Sequence, residues 1–323
     1  MNTSQPVRRS TKRHEHCAWL IGLCLLLGGP FASAAPTATA PAAARPETAP
    51  TTTPARDLGP KTAKVGGWQP IFAGVDYAMA ETQTPRPLKV HAVRVSLNEP
   101  GIQFFVTPSN GDRPRETDGL KTSTFLIRYR CQVAINASPF EPFAKAEGDP
   151  MDVVGLSISR GDMYSGPHDT FGALRITREN HARVAVPPYT TRSAYNAVGG
   201  FGALLRDGKN VAEDDKLNPR TAVGVSKDGR YLYLVAIDGR QKGYSEGTSQ
   251  AETAEWMRLF GSHSALNLDG GGSTCLAISD GKGGAKILNR PINNDKPGTE
   301  RIVANHLGVY AGALVPTSAP GAN

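Results

Sequence analysis

Short runs of alternating apolar and polar residues, separated by turn signals, constrain most strongly what this chain can fold into. The runs lie at 89–97, 102–107, 153–159, 174–177 and 183–186, and turn-forming residues follow at 98–101, 160–162 and 179–180. Because runs joined by short turns form hairpins, antiparallel pairing should outnumber the long crossovers that a parallel sheet needs. We therefore predict an α+β fold whose core is a mixed, largely antiparallel β-sheet with a few helices, in a single domain.

The first 34 residues have the pattern of a secretory signal peptide. Basic residues at 8, 9, 12 and 13 precede a ten-residue apolar run at 18–27, and Ala32-Ser33-Ala34 offers small residues for cleavage. The apolar run is too short to span a bilayer as a mature helix. We therefore expect a periplasmic or secreted protein with no stable membrane span after cleavage.

The composition on either side of the alternating runs sets the domain boundaries. Residues 35–62 are mainly Ala, Pro and Thr, which predicts a disordered linker, and a disordered tail is expected at 316–323. The folded domain should span 63–315. Loss of the first 34 residues removes four basic residues and one acid, so the formal net charge falls from +7 to +4. The remaining Lys and Arg are scattered, which argues against a nucleic-acid partner.

Two cysteines, Cys131 and Cys275, remain after signal cleavage. In an oxidising compartment they can form one disulfide, but two buried free thiols fit equally well because both residues lie in apolar, strand-like runs. No other Cys or His lies at ligand spacing from them, so a metal site built on them is not expected. The sequence does not predict the oligomeric state.

The stretch from Ala265 to Thr274 is the main candidate for a functional site. An apolar, strand-like run containing Asn267 delivers Asp269 to its C-terminal end, and Gly270-Gly271-Gly272 then lets the backbone turn sharply. The N–H groups of such a turn, beside the hydroxyls of Ser273 and Thr274, can form a concave anion site. Asp269 at its lip is placed for acid–base or nucleophilic chemistry.

A predicted hairpin brings further charged residues to one sheet edge. One strand opens at Arg220, a turn follows at 227–229, and the returning strand ends at Asp238-Gly239-Arg240. Because the start of one hairpin strand lies beside the end of its partner, Arg220 should meet Asp238 and Arg240. A guanidinium binds phosphate through two parallel hydrogen bonds, so these arginines could hold an anion, although a surface ion-pair cluster would also explain them.

A helix is predicted at 250–260, with Thr248 or Ser249 as its N-cap and Gly261 as its end. Glu252, three residues after Ser249, completes a capping box. It could also bind a sugar hydroxyl or assist proton transfer. Asn136 ends another strand-like run, where it could bind a hydroxyl-rich ligand or close a turn by bonding its own backbone.

The run Gly243-Tyr244-Ser245-Glu246-Gly247 fits the pattern of a serine nucleophile elbow. Asp269 or Asp280, followed by His306, would complete the Ser, Asp, His order. That fold needs the serine directly after a strand of a parallel sheet, whereas hairpins precede this motif. A secreted serine esterase is therefore the alternative, and a non-catalytic glycan-binding domain is a third class.

Together these motifs resemble the phosphodiester glycosidase family. The resemblance covers roughly residues 90–312 and departs from the family pattern at 136–140, where a glycine usually lies between the Asn and the aromatic residue. The motifs that carry it are Asn218-Pro219-Arg220-Thr221-Ala222-Val223-Gly224, Asp238-Gly239-Arg240, Ser245 with Gly247, Glu252 and Ala254, Asn267 to Thr274, Asn136, Gly199-Gly200, and Arg301 with Val303-Ala304-Asn305.

The resemblance implies a single catalytic domain that hydrolyses a sugar-1-phosphodiester, for example an N-acetylglucosamine-1-phosphodiester, or a related bacterial polysaccharide linkage. Arg220, Arg240 and Arg301 would clamp the phosphate. The catalytic candidates are Asp269, Asp238 and Glu252. No cofactor is required, although Asp269 or Asp238 could hold Ca²⁺ or Mg²⁺. The remaining substrate-binding candidates are Asn136, Ser245, Thr248, Asn267, Gly270, Gly271, Gly272, Ser273 and Thr274.

Overall fold

The computed structural model describes Pro60 and residues 63–314. The predicted signal peptide at 1–34, the predicted linker at 35–62 apart from Pro60, and the predicted tail at 316–323 lie outside the described residues.

The described chain forms two helices, one 3₁₀ helix and a long succession of short strands. The helices are α1 (Thr122–Tyr129) and α2 (Gln250–Phe260), and the 3₁₀ helix is Gly271–Ser273. The strands are β1 (Lys64–Val65), β2 (Gln69–Phe72), β3 (Val75–Thr82), β4 (Leu88–Ser96), β5 (Gln103–Val106), β6 (Thr117–Asp118), β7 (Val133–Asn136), β8 (Phe140–Glu141), β9 (Pro150–Val153), β10 (Ser157–Ser159), β11 (Asp162–Ser165), β12 (Gly172–Ile176), β13 (Ala182–Ala185), β14 (Asn196–Gly200), β15 (Gly202–Arg206), β16 (Lys209–Asn210), β17 (Arg220–Val225), β18 (Tyr231–Ile237), β19 (Ser264–Asn267), β20 (Leu276–Ser279), β21 (Ala285–Ile287), β22 (Ile292–Asn293), β23 (Lys296–Pro297) and β24 (His306–Tyr310).

The strands form one large sheet, two sheets of intermediate size and two small ones. The 9-stranded sheet has the order β1-β3-β4-β18-β17-β19-β15-β16, with β2 also paired to β3. The 5-stranded sheets have the orders β11-β10-β14-β12-β13 and β21-β20-β7-β24-β5, and the small ones are β22-β23 and β6-β9-β8. Every named strand pair in the described chain is antiparallel.

The main core lies between the large sheet and the two 5-stranded sheets. Successive residues of a strand face opposite sides, so Val223 of β17 faces this core, together with Ile135 and Leu174 from the smaller sheets. The opposite face of the large sheet packs against Trp256 and other residues of α2. Phe125 of α1 packs on the outer face of the sheet that contains β7. The layers are therefore α2, the large sheet, the 5-stranded sheets and α1.

The local signals of α2 are those that the sequence predicts. The Ser249 side chain accepts from the Glu252 N–H, and the Glu252 side chain accepts from the Ser249 N–H, which completes the capping box. Gly261 ends the helix with a φ of 112°, a left-handed conformation that favours glycine. The predicted bounds, 250–260, agree with Gln250–Phe260.

The prediction of a largely antiparallel sheet core is confirmed, but the fold is richer in strand than the α+β prediction suggests. The two α-helices of the described chain have only 8 and 11 residues, and they lie on the outer faces of the sheets. Neither of them has the length and apolar content that a bilayer crossing needs. Of the two alternatives for the cysteines, the structure has Cys131 and Cys275 as buried free thiols. Burial raises the pKa of Cys131 to about 12.

Candidate active site

A pocket of about 410 Å³ opens at one edge of the large sheet. Arg220 begins β17 and pairs with Ile237 at the end of β18, while Asn267 at the end of β19 pairs with Ala222. The loops that leave these strand ends therefore meet at the same edge. The pocket lining includes Arg220, Arg240, Arg301, Asn267, Asp269 and the three consecutive glycines.

Asp269 lies half-buried in this pocket, with its backbone fixed on both sides. Its N–H donates to the Ala137 carbonyl at 2.9 Å, and its own carbonyl accepts from Asn136 Nδ2 at 2.6 Å. Burial raises the pKa of Asp269 to about 6, although the Ser273 hydroxyl, the charge of Arg301 and a backbone hydrogen bond from Gly270 favour the ionised form. Asp269 can therefore exchange a proton near neutral pH.

Each of the three glycines is required for a different reason. A Cβ at Gly270 would lie 2.7 Å from the Pro219 carbonyl oxygen, and Gly271 has a φ of +60°. A Cβ at Gly272 would collide with the guanidinium of Arg301. The loop thus brings backbone and guanidinium closer than any side chain would allow.

The predicted anion site of converging N–H groups is only partly present. The Gly271 N–H donates to the Pro219 carbonyl at 2.8 Å, and the Ser273 N–H donates to Gly270 at 3.1 Å. These two donors are already used within the protein. The positive charge of the pocket therefore comes from arginine side chains more than from the glycine backbone.

Arg240 and Arg301 approach the glycine loop from two sides. Arg240 is exposed, and its Nη2 donates a hydrogen bond to Asn218 Oδ1 at 2.8 Å. Its guanidinium lies over Gly271. Arg301 donates to Asn293 Oδ1 at 3.1 Å and to Ser273 Oγ at 3.3 Å, and its guanidinium lies 4.8 Å from the Phe143 ring centre. Burial lowers the pKa of Arg301, the charge of Asp269 opposes this shift, and the positive charge of Arg240 adds to it.

Arg220 lines the pocket, but its guanidinium is largely engaged within the protein. Its Nε donates to the Thr248 carbonyl at 2.9 Å, and its Nη2 donates to Asp214 Oδ2 at 3.0 Å and to the Lys216 carbonyl. These contacts use Nε and Nη2, and Asp214 pairs with the charge of Arg220, whose role in binding a phosphate stays a prediction. Arg240 and Arg301, in contrast, form no ion pair with a carboxylate among the described residues.

Asp238 and Glu252, the other catalytic candidates, are not among the residues that line the pocket. The Asp238 carboxylate accepts from Asn289 Nδ2 at 3.0 Å and from the Arg290 N–H at 2.9 Å. It faces this neighbouring loop rather than Arg220, contrary to the hairpin expectation. Glu252 is held by its capping box and by an ion pair with Arg86.

Several predicted substrate-binding residues hold the site together instead of facing it. Asn136 is fully buried, and its Oδ1 accepts from Thr221 Oγ1 at 2.9 Å and from the Cys275 N–H at 3.0 Å. Thr274 accepts from Thr221 Oγ1 at 3.2 Å, and the Thr248 hydroxyl pairs with that of Thr253. These residues support the pocket from beneath.

Asn267 differs from these supporting residues. Its side chain is 3% exposed and lines the pocket, and its Oδ1 has no hydrogen-bond partner among the described residues. A buried acceptor without a donor costs free energy. A ligand hydroxyl or amide N–H would satisfy it.

Phe201, Asn218 and Gln250 also line the pocket and were not predicted as site residues. Phe201 is 41% exposed and follows Gly199-Gly200 directly. An aromatic residue just after a glycine-rich bend was the signal that could have revealed it, since aromatic faces commonly stack on ligands. Asn218 stands out in the sequence only as part of a longer motif, and its contact with Arg240 depends on the fold.

Among the described residues, no group of three or more His, Cys, Asp or Glu side chains is arranged to hold a metal ion. Neither Asp269 nor Asp238 is therefore part of such a group within residues 63–314.

A half-buried carboxyl group beside two arginines combines a titratable group with positive charge in one pocket, an arrangement that is typical of sites for anionic ligands. Residues 129–310 match the sequence model of a family described as phosphodiester glycosidase. The chain therefore belongs to the phosphodiester glycosidase family, whose members are hydrolases, as the motifs predict.

Solved structures with the same fold share little sequence with this chain. The catalytic domain of zebrafish N-acetylglucosamine-1-phosphodiester alpha-N-acetylglucosaminidase, auto-inhibited by its pro-peptide, is 17% identical with a TM-score of 0.55, over 76% of this chain and 87% of that domain. A protein from Burkholderia pseudomallei K96243, named as exported, is 14% identical with a TM-score of 0.56, over 78% and 98%.

A hypothetical protein from Synechocystis is 18% identical with a TM-score of 0.54. The match covers 74% of this chain but only 62% of that protein's length. No curated protein sequence matches the chain.

Proposed function

We propose that this protein is a periplasmic or secreted glycosidase that hydrolyses a sugar-1-phosphodiester, for example an N-acetylglucosamine-1-phosphodiester, or a related bacterial polysaccharide linkage. The observation that carries the proposal is the presence of Asp269, Arg240 and Arg301 around one pocket. Family membership supports the reaction class, and the predicted signal peptide supports the location.

The proposed chemistry divides between the carboxylate and the arginines. The bond between the anomeric carbon and the phosphate oxygen breaks, the phosphomonoester leaves with the bonding electrons, and water supplies the hydroxyl group of the released sugar. Arg240 and Arg301 would neutralise the departing phosphate, which lowers the need for a general acid. Asp269, ionised above about pH 6, would attack the anomeric carbon or take the proton of the water.

The direct test is turnover of defined substrates by the purified protein. We expect release of a reducing sugar and a phosphomonoester from a sugar-1-phosphodiester, and much slower release from a nitrophenyl glycoside of the same sugar. Saturable binding of both compounds without any product would contradict the proposal and favour a glycan-binding domain.

The geometry around Ser245 gives little support to the alternative esterase function. Ser245 is fully buried, its Oγ donates to the Asp238 carbonyl at 2.7 Å, and it accepts from the Lys89 N–H at 3.0 Å. His306, the base of that hypothesis, lies instead beside Thr107, with 3.0 Å between His306 Nδ1 and Thr107 Oγ1, and stacks on Phe125. The Ser245 hydroxyl thus links two backbone segments.

Ser245→Ala is expected to lower stability and to leave turnover within a few-fold of wild type. The substitution leaves the Lys89 N–H and the Asp238 carbonyl without their partner, which costs on the order of 1–3 kcal/mol. Denaturant unfolding and kcat/KM measure the two effects. Complete loss of activity in a folded variant, with a fluorophosphonate adduct on wild-type Ser245, would establish the esterase instead.

A further inference from the structure

A second cavity, of about 650 Å³, lies beside the β12–β13 hairpin and is lined by three arginines, Arg175, Arg183 and Arg192. His181 also lines it, and the one acidic residue in the lining is Asp228. The Asp228 carboxylate accepts from the Ser226 hydroxyl at 2.6 Å and from the Arg230 N–H at 3.1 Å. The cavity therefore carries a surplus of positive charge.

Strand register places two of these cations opposite each other. Arg175 of β12 and Arg183 of β13 are direct cross-strand partners. Like charges at such positions destabilise a sheet. Within residues 63–314 neither of them, nor Arg192, forms an ion pair with a carboxylate. The hairpin thus maintains an unfavourable arrangement that an anion would relieve.

Polar atoms beside the cavity lack partners as well. The Nε and Nη1 atoms of Arg175 are buried and donate to no group among the described residues. The hydroxyl of Tyr189 is likewise buried and has no hydrogen-bond partner among them. Arg175 lies close enough to Tyr189 for its charge to lower the pKa of that hydroxyl, although burial raises that pKa overall. Buried charged donors without acceptors cost more free energy than neutral ones.

This cavity is separate from the candidate active site. Gly172, at the start of β12, pairs with Gly200, which directly precedes Phe201 of the catalytic pocket. Arg175 lies three residues further along the strand, on the order of 10 Å away at about 3.3 Å per residue. The two cavities have no lining residue in common. One small anion cannot occupy both.

We propose that the cavity lined by Arg175, Arg183 and Arg192 is a second anion-binding site, which takes an oxyanionic group, a phosphate or a carboxylate. Arginine matches both groups through charge-assisted hydrogen bonds, and Arg183 and Arg192 are exposed enough to close on a ligand. Such a group could belong to a sugar phosphate, to a uronate, or to free phosphate. The proposal does not depend on the reaction at Asp269.

The test is an NMR titration of the full protein that follows the arginine Nε–H resonances with inorganic phosphate, glucose 6-phosphate, glucuronate and neutral glucose. The resonance of Arg175, assigned by its loss in Arg175→Gln, should shift with the anions and not with glucose. Tighter binding of a sugar anion than of inorganic phosphate would identify a saccharide ligand, and equal binding would identify the free anion. Separate resonances of Arg240 and Arg301 report on the catalytic pocket, so failure at either site is seen independently.

Arg183→Gln should weaken anion binding at Arg175 by tenfold or more, with catalytic turnover unchanged. Arg183 is exposed, so the variant should fold. The matched control is Arg178→Gln, which removes the same charge from the same hairpin but from a side chain that lies over the Tyr195 ring at 4.2 Å. An Arg175 resonance that no anion moves, or equal weakening by the two variants, would overturn the proposal.

Discussion

Replacement of Asp269 by asparagine is expected to lower kcat/KM for a sugar-1-phosphodiester by about 10²–10⁴-fold, the usual contribution of a positioned acid–base group. Asparagine keeps the shape of the side chain, and the backbone bonds to Ala137 and Asn136 do not involve the carboxyl group. Substrate binding should persist. The measurement is steady-state kinetics with product detection, together with calorimetric binding of the substrate to the variant.

The stability of Asp269→Asn separates a catalytic loss from unfolding. Burial raises the pKa of folded Asp269 to about 6, above the value of about 3.9 for an unfolded aspartate. The stability linked to this proton is fully present below about pH 4 and is lost as the pH rises through about 6. At pH 7 ionised Asp269 therefore costs the folded state about 3 kcal/mol, which asparagine avoids.

The Tm of Asp269→Asn at pH 7 should accordingly equal or exceed that of the wild type. Asp162→Asn, in the exposed start of β11, is the matched control and should alter neither activity nor Tm. Retention of more than a tenth of wild-type kcat/KM by a folded Asp269→Asn protein would remove Asp269 from the chemistry.

Arg301→Lys is expected to lower kcat/KM for a phosphodiester substrate by about 10²-fold or more, in line with the loss of one preorganised donor at a developing anion. Lysine keeps the charge but cannot bond Asn293 and Ser273 while presenting a planar face to a phosphate. An aryl glycoside without phosphate should be affected much less. Inorganic phosphate should also inhibit the variant more weakly than the wild type.

Arg220→Lys provides the comparison for this experiment. Because Arg220 joins Thr248, Lys216 and Asp214, its replacement should impair both substrates to a similar extent and lower stability. The measurement is kcat/KM for both substrates in both variants. Equal losses on the two substrates in Arg301→Lys would show that Arg301 supports the fold or the sugar, and the phosphate-specific part of the proposal would fail.

Local signals predicted the elements that depend on local structure. The capping residues of α2 and the hairpin of β17 and β18 are visible in the sequence because caps, turns and alternation act over a few residues. The same hairpin places Arg220 and Arg240 at one pocket. Alternation does not extend past the last residue of a strand, so the direction of the Asp238 side chain could not be obtained from it.

Other parts of the site depend on segments without periodicity. The ion pair that engages Arg220 comes from Asp214, in an irregular stretch before β17, and Arg301 reaches the glycine loop from the irregular segment before β24. The opposition of Arg175 and Arg183 depends on the exact register of the β12–β13 hairpin, which the turn signal at 179–180 does not determine. Long-range packing determines these contacts, and no local pattern in a single sequence predicts them.

Asn136 makes the site depend on the order in which the chain folds. Its side chain joins β7 to Thr221 of β17, to the carbonyl of Asp269 and to Cys275, residues separated by up to 139 positions in the sequence. Contacts at such separation form late, since the intervening chain must first be organised. We therefore expect the pocket to be completed late: a nascent chain that ends before Cys275 contains every strand of the large sheet but lacks β20 and β24, which flank β7, and the pocket residue Arg301.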